Sequence, residues 1–174
     1  MEQKELFEHF HKDVYRTCYY MLKNQHDAED VCQEVFIKIF TQDYEKIVNP
    51  KNWMLSIAMN TCRNHIRKHS KISVGHEFMN WITRIIDSQR VEEQVELKEQ
   101  NEQISDFIHR LNPKIREVIL LKYLHELKNE EIAKVLNIPL GTVKSRANKG
   151  VLLLRTIMKE KNPSHCTQVK EVLK

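Results

Sequence analysis

The fold of this chain is decided by residues 128–155, KNEEIAKVLNIPLGTVKSRANKGVLLLR. Asn129 is a predicted helix cap, and apolar residues follow it at helical spacing, at Ile132, Ala133 and Leu136. Residues 137–139, Asn-Ile-Pro, then interrupt the helix, because proline lacks the N–H that a continuing helix needs and suits the start of the next one. The stretch therefore predicts two short helices around a tight turn, a helix-turn-helix.

The second of these helices has one apolar side and one polar side. Steps of about 100° per residue from Val143 place small or apolar residues inward, at Ala147, Gly150 and Leu154. The outward residues form the recognition face, which comprises Lys144, Ser145, Asn148 and Lys149, with Arg146 at its flank. Lys, Asn and Ser can bond to base edges in a DNA major groove, and Arg146 suits a phosphate. The alternative is a solvated cationic face on an ordinary helical hairpin, but the turn and both apolar faces together favour nucleic-acid binding.

Composition indicates a globular helical protein. The 174 residues suffice for one domain or two small ones, and 41% hydrophobic with 30% charged residues is ordinary for folded protein. Only three Gly and four Pro are present, which is few for a sheet protein with many turns, so we predict an all-α fold. The net charge of +4 and the pI near 8.8 fit a partner that carries phosphates, but they are too mild to establish one.

The sequence also lacks the signals of several functional classes. No segment approaches the roughly 18 apolar residues of a membrane helix, and the N-terminus has no apolar signal-peptide core, so we predict a cytoplasmic protein without membrane insertion. No glycine-rich phosphate loop, zinc motif or nucleophile elbow is present, so we predict no cofactor, no metal site and no catalytic residues. Four widely spaced cysteines are interpreted as reduced thiols, three of them buried on helical patterns: Cys18, Cys32, Cys62 and Cys166.

Two helical patterns open the chain. Residues 2–23 carry an apolar face, and Asp27 is the predicted cap of the next helix, DAEDVCQEVFIKIF. The outward side of this second helix carries the acidic patch, which comprises Asp30, Gln33 and Glu34. The helix dipole explains acidic residues in the first turn, Asp30 among them, but Gln33 and Glu34 lie beyond that turn. Their presence on the outward side is therefore not a capping effect.

A third helix starts at Asn49-Pro50, a cap followed by proline at the first helical position. Its predicted inward residues are Trp53, Ile57, Ala58, Thr61, Cys62 and Ile66. The opposite side carries the polar face, which comprises Asn60, Arg63, Asn64 and Arg67. This face is a second candidate nucleic-acid surface. Basic residues near a helix C-terminus also complement the dipole, and for this helix taken alone that structural interpretation is favoured.

The remaining patterns predict two small helical domains joined by a linker. The first domain is residues 1–70, and the regular pattern then weakens over the linker, residues 71–91. The second domain is residues 92–162, in which Asn112-Pro113 starts a helix that supplies the core beneath the helix-turn-helix, through Ile115, Val118, Ile119, Leu121 and Leu124. We expect few contacts between the two domains. The tail, residues 163–174, carries little signal.

Three segments carry a resemblance to a known protein family. They are the Asp-x-x-Gln-Glu pattern of the acidic patch, the Trp53–Arg67 helix and the run Gly141-Thr-Val-Lys-Ser-Arg146. Each is modest alone, but their order and spacing are specific. Over about Leu6 to Met158, the chain resembles the extracytoplasmic-function group of bacterial sigma factors.

The resemblance implies a protein that directs RNA polymerase to promoters and assists strand opening, while the polymerase supplies the catalysis. It implies that the acidic patch binds the β′ clamp helices of core polymerase. It also implies that the polar face binds the −10 promoter element and that the recognition face, with Arg146, binds the −35 element. An anti-sigma factor is a further implied partner.

Two other classes of function remain as alternatives. A stand-alone helix-turn-helix regulator explains residues 128–155 equally well, but it leaves the acidic patch and the polar face without a purpose. An RNA-processing enzyme with a basic helical domain lacks any catalytic constellation in this sequence. Binding to core polymerase in the absence of DNA separates a sigma factor from the stand-alone regulator.

Overall fold

The computed structural model describes residues 3–70 and 104–161. Every regular element in these two ranges is helical, which confirms the predicted all-α class. The helices are α1 (Gln3–Leu22), α2 (Gln25–Phe40), α3 (Pro50–Ser70), α4 (104–109), α5 (Pro113–Ile119), α6 (Asn129–Leu136) and α7 (Leu140–Lys161), with a short 3₁₀ turn at Tyr44–Lys46. The predicted linker 71–91, the start of the predicted second domain and the tail 163–174 lie outside the described residues.

Helices α1, α2 and α3 pack on one another and form the first unit. The core between them is apolar and includes Val14, Met21, Val35, Ile39, Leu55 and Met59. Asn24 caps α2, because its side chain accepts a hydrogen bond from the Asp27 amide at 3.1 Å. The predicted cap at Asp27 is therefore wrong, and the helix begins at Gln25. Lys23, with a φ of 58°, makes the left-handed turn between α1 and α2.

The buried surface of α3 is broader than its sequence pattern predicts. Some predicted inward residues are only half-buried: Trp53, Ile57 and Ile66. Residues outside the predicted face are fully buried instead: Met54, Leu55 and Met59. The reason is that α3 contacts α1 and α2 within the first unit and also α6 of the second, so more than one arc of its surface is covered.

The second unit, residues 104–161, is built around α5. Asn112 accepts a hydrogen bond from the Lys114 amide at 3.0 Å, and Pro113 takes the first helical position, as predicted. The helix keeps α geometry only to Ile119 and then widens into a π-helical turn, Leu120–Leu124. Helices α6 and α7 follow and form the predicted helix-turn-helix, with Asn137 ending α6 in a left-handed conformation at φ 51°.

Two local features shape the helix-turn-helix. The residue before α6 is Lys128, not the predicted cap Asn129, and the Glu131 carboxylate accepts a hydrogen bond from the Lys128 amide at 2.8 Å. Gly150 lies where α7 approaches α5, and a Cβ at this position would come within 2.6 Å of the Ile119 side chain. The close packing of α7 on the core of the second unit therefore depends on glycine at 150.

The two units pack against each other, so the expectation of few contacts between them is wrong. Helix α3 packs against α6, and α1 approaches α5. Buried residues from both units belong to one hydrophobic cluster. Polar contacts explain part of this packing, because α5 carries two buried charged residues, Arg116 and Glu117, whose partners include groups of the first unit.

Candidate nucleic-acid interface

The recognition face is open to solvent on α7. Its four members are exposed, and Arg146 is half-buried at their flank. The opposite side of the helix is buried against the second unit through Val143, Ala147, Gly150 and Leu154. The predicted division into an inward and an outward side is therefore confirmed. A helix anchored on one side presents its ammonium, hydroxyl and amide groups in a fixed arrangement on the other, which is what base and phosphate contacts require.

A cleft of about 530 Å³ adjoins the recognition face. It lies between the starts of α5 and α7 and is lined by Asn112, Lys114, Ile115, Gly141, Thr142, Ser145, Arg146 and Lys149. Three of these side chains are cationic, which suits a polyanionic partner such as a DNA backbone. Sequence reasoning missed Lys114. Its signal was a positive charge in the first turn of a helix, where the dipole disfavours it.

The polar face of α3 is partly covered by the second unit. Asn60, Asn64 and Arg67 are exposed, whereas Arg63 is turned toward α5. The Arg63 guanidinium donates from Nε to Oε1 of Glu117 at 2.6 Å and from Nη2 to Oε2 at 2.8 Å. Its Nη1 donates to Oδ1 of Asn60 at 3.0 Å. One predicted DNA contact is therefore engaged within the chain.

Glu117 was missed by sequence reasoning. Its side chain is 2% exposed, compared with 33% for that of Arg63. Hydrogen bonding to Glu117 raises the pKa of Arg63, and this effect outweighs the opposing effect of burial. The only signal in the sequence was a carboxylate between Ile115 and Val118, inside a helix that otherwise supplies core residues.

Arg116 is a second buried charge that sequence reasoning missed. Its guanidinium donates to four backbone carbonyl oxygens, those of Met21, Ile108, His109 and Leu111. Burial lowers the pKa of Arg116 to about 10, and the charge of Glu117 opposes that shift, so the group stays protonated at neutral pH. Because Met21 belongs to α1, Arg116 ties the second unit to the first.

His125 makes another buried contact between the units. Its Nε2 lies 2.7 Å from the Thr17 hydroxyl, which itself donates to the Asp13 carbonyl oxygen at 2.7 Å. Since the hydroxyl proton is used in that bond, the imidazole Nε2–H donates to Thr17 and Nδ1 is left without a proton. Nδ1 is buried without a hydrogen-bond partner. Burial lowers the pKa of His125 to about 4, so the ring is neutral at pH 7.

Two contacts nearer the surface also join the units. Lys23 and Asp106 form an ion pair, with Nζ 2.7 Å from Oδ1. Asn52, in the first turn of α3, donates from Nδ2 to Oε1 of Glu131 on α6 at 3.3 Å. Helix α3 therefore meets two carboxylates of the second unit, those of Glu117 and Glu131.

The acidic patch lies on the outer side of α2, and its three residues are exposed as predicted. Glu34 forms an ion pair with Lys38 at 2.6 Å, and Lys38 also donates to the Thr61 hydroxyl at 3.1 Å. An exposed pair of this kind is worth about 1 kcal/mol at most. The Glu34 carboxylate can therefore exchange Lys38 for a basic group of a partner at little cost.

The described residues offer little basis for metal or thiol chemistry. Within residues 3–70 and 104–161, no group of three or more His, Cys, Asp or Glu is placed to hold a metal ion. Cys18, Cys32 and Cys62 are free and buried, as predicted, and burial raises the pKa of Cys32 to about 12. This thiol therefore stays protonated and unreactive. No helix in the same part of the chain has the length and apolar character to span a membrane.

The sequence is similar to known transcription proteins. It matches the family model described as Sigma-70 region 2 over residues 6–72 and the model described as Sigma-70, region 4 over residues 101–154. The ECF RNA polymerase sigma factor SigW of Bacillus subtilis (strain 168) is 36% identical over 156 residues, covering 84% of this chain and 83% of that protein. The ECF RNA polymerase sigma factor SigM of the same strain is 32% identical over 151 residues, covering 81% of this chain and 85% of that protein.

Solved structures share the fold. The sigma factor RpoE of Bartonella quintana, crystallised with the anti-sigma factor NepR, gives a TM-score of 0.68 at 20% identity, covering 91% of this chain and 98% of that one. CnrH, solved in complex with the cytosolic domain of CnrY, gives a TM-score of 0.65 at 17% identity, covering 92% and 89%. The helical arrangement described above therefore occurs in experimentally determined structures.

Proposed function

The chain belongs to the extracytoplasmic-function group of RNA polymerase sigma factors, and we propose how its surfaces divide the work of directing polymerase to promoters. Residues 1–70 bind core polymerase and the −10 element, residues 92–162 bind the −35 element, and residues 71–91 connect them. The observation that carries the proposal is the helix-turn-helix, in which buried residues anchor α7 and leave the recognition face exposed.

The recognition face and Arg146 read the −35 element. An exposed Asn148 can pair with an adenine edge, and Lys144 or Lys149 can reach guanine acceptors or phosphates. The cationic cleft beside them, which includes Lys114 and Arg146, holds the backbone. Base edges thus supply sequence preference, and phosphates supply affinity that falls as salt rises.

The polar face binds the −10 element. Its arginines suit phosphates, and its asparagines suit base edges in the opened strand. The four residues recur at three- and four-residue steps on α3, so they lie along one side of a single helix. This regular spacing on a rigid element supports a role in holding a separated strand.

The acidic patch binds the β′ clamp helices of core polymerase. The patch is exposed on α2, a different helix from the one that carries the polar face, so polymerase and DNA can each bind through a separate helix. The short-range pairing of Glu34 with Lys38 leaves both the Asp30 carboxylate and the Gln33 amide on the exposed surface. Complementary charge at such a contact favours rapid and selective association.

An anti-sigma factor is the further partner that we propose. The support is that RpoE of Bartonella quintana was solved in complex with the anti-sigma factor NepR and shares this fold. Sigma factors are non-catalytic initiation factors, and we extend this to the present chain, which needs no cofactor for the proposed role. Its place of action is the cytoplasm, where polymerase and template are found.

The test is reconstitution with purified core polymerase. The full chain should co-purify with core polymerase without DNA and should then initiate transcription from a subset of a randomised promoter library. A Gln33→Ala, Glu34→Lys double variant should keep the helical circular dichroism spectrum but bind core polymerase several kcal/mol more weakly, because it places repulsion where complementarity was. Glu8→Lys, an exposed charge reversal on α1, is the control.

The outcomes separate the two candidate functions. DNA binding without any association with core polymerase would support the stand-alone regulator and reject the sigma assignment of the acidic patch. Core binding that the double variant leaves unchanged would reject the acidic patch alone.

A further inference from the structure

We propose that Glu117 is an intramolecular latch that occupies Arg63 and keeps the free chain in a closed arrangement, with part of the polar face shielded from DNA. The inference rests on the proposed role of the polar face. It adds that the second unit limits access to that face until the two units separate.

The geometry of the pair is the first step. Glu117 meets the Arg63 guanidinium through two parallel hydrogen bonds, at 2.6 Å and 2.8 Å. This forked arrangement is the one in which arginine binds a carboxylate or a phosphate. Glu117 therefore takes up the same donors that a DNA phosphate would use, and the two ligands cannot be bound together.

Burial makes the pair persistent. The Glu117 side chain is almost fully enclosed, so its charge has little access to solvent while the units are packed together. Leaving a buried carboxylate without its partner strongly destabilises the closed arrangement. Arg63 can therefore leave Glu117 only when the surroundings of Glu117 open as well, which couples release of Arg63 to separation of the units.

The neighbouring contacts favour the same closed arrangement. Nη1 of Arg63 is bonded to Asn60, so a second member of the polar face is held in place. Glu131 meets Asn52 at the start of α3. Two carboxylates of the second unit, those of Glu117 and Glu131, therefore contact α3, the helix that we propose to bind a polyanion. Asn64 and Arg67 remain exposed, so the face is restricted and not abolished.

The same pairing gives polymerase a role in opening the chain. Binding energy gained by a partner that requires separated units shifts the population toward the open arrangement, in which Arg63 is free for the −10 strand. DNA alone must compete with Glu117. The free chain should therefore bind single-stranded DNA weakly, and removal of the Glu117 charge should strengthen that binding.

The experiment measures binding of the full chain to a fluorescent single-stranded oligonucleotide of randomised sequence, at fixed salt. Glu117→Gln keeps the side-chain shape and removes the charge, and we expect an affinity gain of up to about tenfold if the open form is a minor species of the wild type. Asp106→Asn is the matched control, because it removes an ion pair between the same units, Lys23 with Asp106, without touching the polar face. It should change affinity by about twofold or less.

Energy transfer reports the separation of the units directly. Dyes on Lys4→Cys in α1 and Thr156→Cys in α7, in a Cys166→Ser background, label exposed positions of the two units while the other cysteines stay buried. Transfer should be lower in Glu117→Gln than in the parent. In the parent, added oligonucleotide should lower transfer, because DNA and Glu117 compete for Arg63. This second measurement does not depend on whether Glu117→Gln folds.

Transcription by reconstituted holoenzyme keeps the two proposals apart. Suppose that the wild type transcribes. The latch is then rejected, and the proposed function stands, if the oligonucleotide binds the wild type without any change in energy transfer. The same conclusion follows if Glu117→Gln folds and matches the wild type in affinity and energy transfer. If the wild type neither binds core polymerase nor transcribes, the proposed function fails on its own terms.

Discussion

The two candidate DNA surfaces differ in what lies in front of them. The recognition face on α7 is exposed along its length, whereas the polar face on α3 has Arg63 committed to Glu117 of the second unit. Both faces carry cationic and amide side chains on the outward side of a long helix. The type and spacing of side chains thus predict the chemistry of a surface, while a carboxylate more than fifty residues away decides whether that chemistry is available.

The largest effect that tests this difference is expected at Arg116. Arg116→Ala removes a guanidinium that satisfies four carbonyl oxygens and links α5 to α1. We expect a loss of about 3 to 5 kcal/mol in the free energy of unfolding, because buried acceptors lose their donor and the cover over the polar face loses an anchor. Urea denaturation followed by circular dichroism measures it.

Lys114→Ala is the matched control for Arg116, since it removes an exposed cation from the same helix. Its unfolding free energy should stay within about 0.5 kcal/mol of the parent. A similarly small change in Arg116→Ala would mean that the carbonyl oxygens find other donors and that Arg116 does not hold the units together.

Acidification should weaken the closed arrangement. The unfolded chain protonates His125 near pH 6.5, whereas burial lowers the pKa of the folded ring to about 4. The contribution of neutral His125 to the free energy of unfolding is therefore fully present above about pH 6.5. It is lost as pH falls toward 4, by about 3 kcal/mol in total. Three charged groups of the first unit act on the ring: Asp13 favours its protonation, and Arg16 and Lys51 oppose it.

Urea denaturation at pH 7 and at pH 5 measures this contribution. His125→Gln should reduce the difference between the unfolding free energies at pH 7 and pH 5. His26→Gln, which changes an exposed histidine on α2, should not reduce it. Because Nε2 of His125 bonds Thr17 across the units, energy transfer between the units should also fall on acidification. An identical pH dependence in His125→Gln and the parent would assign the acid effect to other groups.

The sequence predicts what depends on local periodicity and misses what depends on long-range pairing. The apolar side of α6, the cap at Asn112 and the inward residues of α7 follow from spacing, because each is set within a few residues. The same patterns missed Glu117 and Arg116, since charged residues in a helix are normally solvent-exposed. Here α3 brings Arg63 against Glu117, and α1 brings the Met21 carbonyl oxygen against Arg116. The wrong caps at Asp27 and Asn129 were local errors of one to three residues.

Substitutions on the recognition face should weaken DNA binding and leave folding unchanged, with a free-energy effect smaller than those expected for Arg116 and His125. Lys144→Ala and Asn148→Ala should each weaken binding to a −35 duplex, obtained by selection from the promoter library, by about 1 to 3 kcal/mol. Both side chains are exposed, so melting temperatures should not change. Lys134→Ala, an exposed lysine on α6, is the control. Equal binding of variants and parent would reject the recognition face as the surface that reads sequence.

The smallest expected effect on DNA binding is that of Lys114, which lines the cationic cleft. If its ammonium contacts a phosphate, Lys114→Ala should weaken all duplexes equally and lower the slope of log affinity against log salt by about 1, whereas Asn148→Ala should weaken only duplexes with the preferred bases. Fluorescence anisotropy on selected and scrambled duplexes over a salt series distinguishes the two patterns. Lys159→Ala, near the far end of α7, should leave the slope unchanged. If Lys114→Ala weakened binding to the selected duplex only, Lys114 would be assigned a contact with base edges and not with phosphates. The recognition face would then extend onto α5.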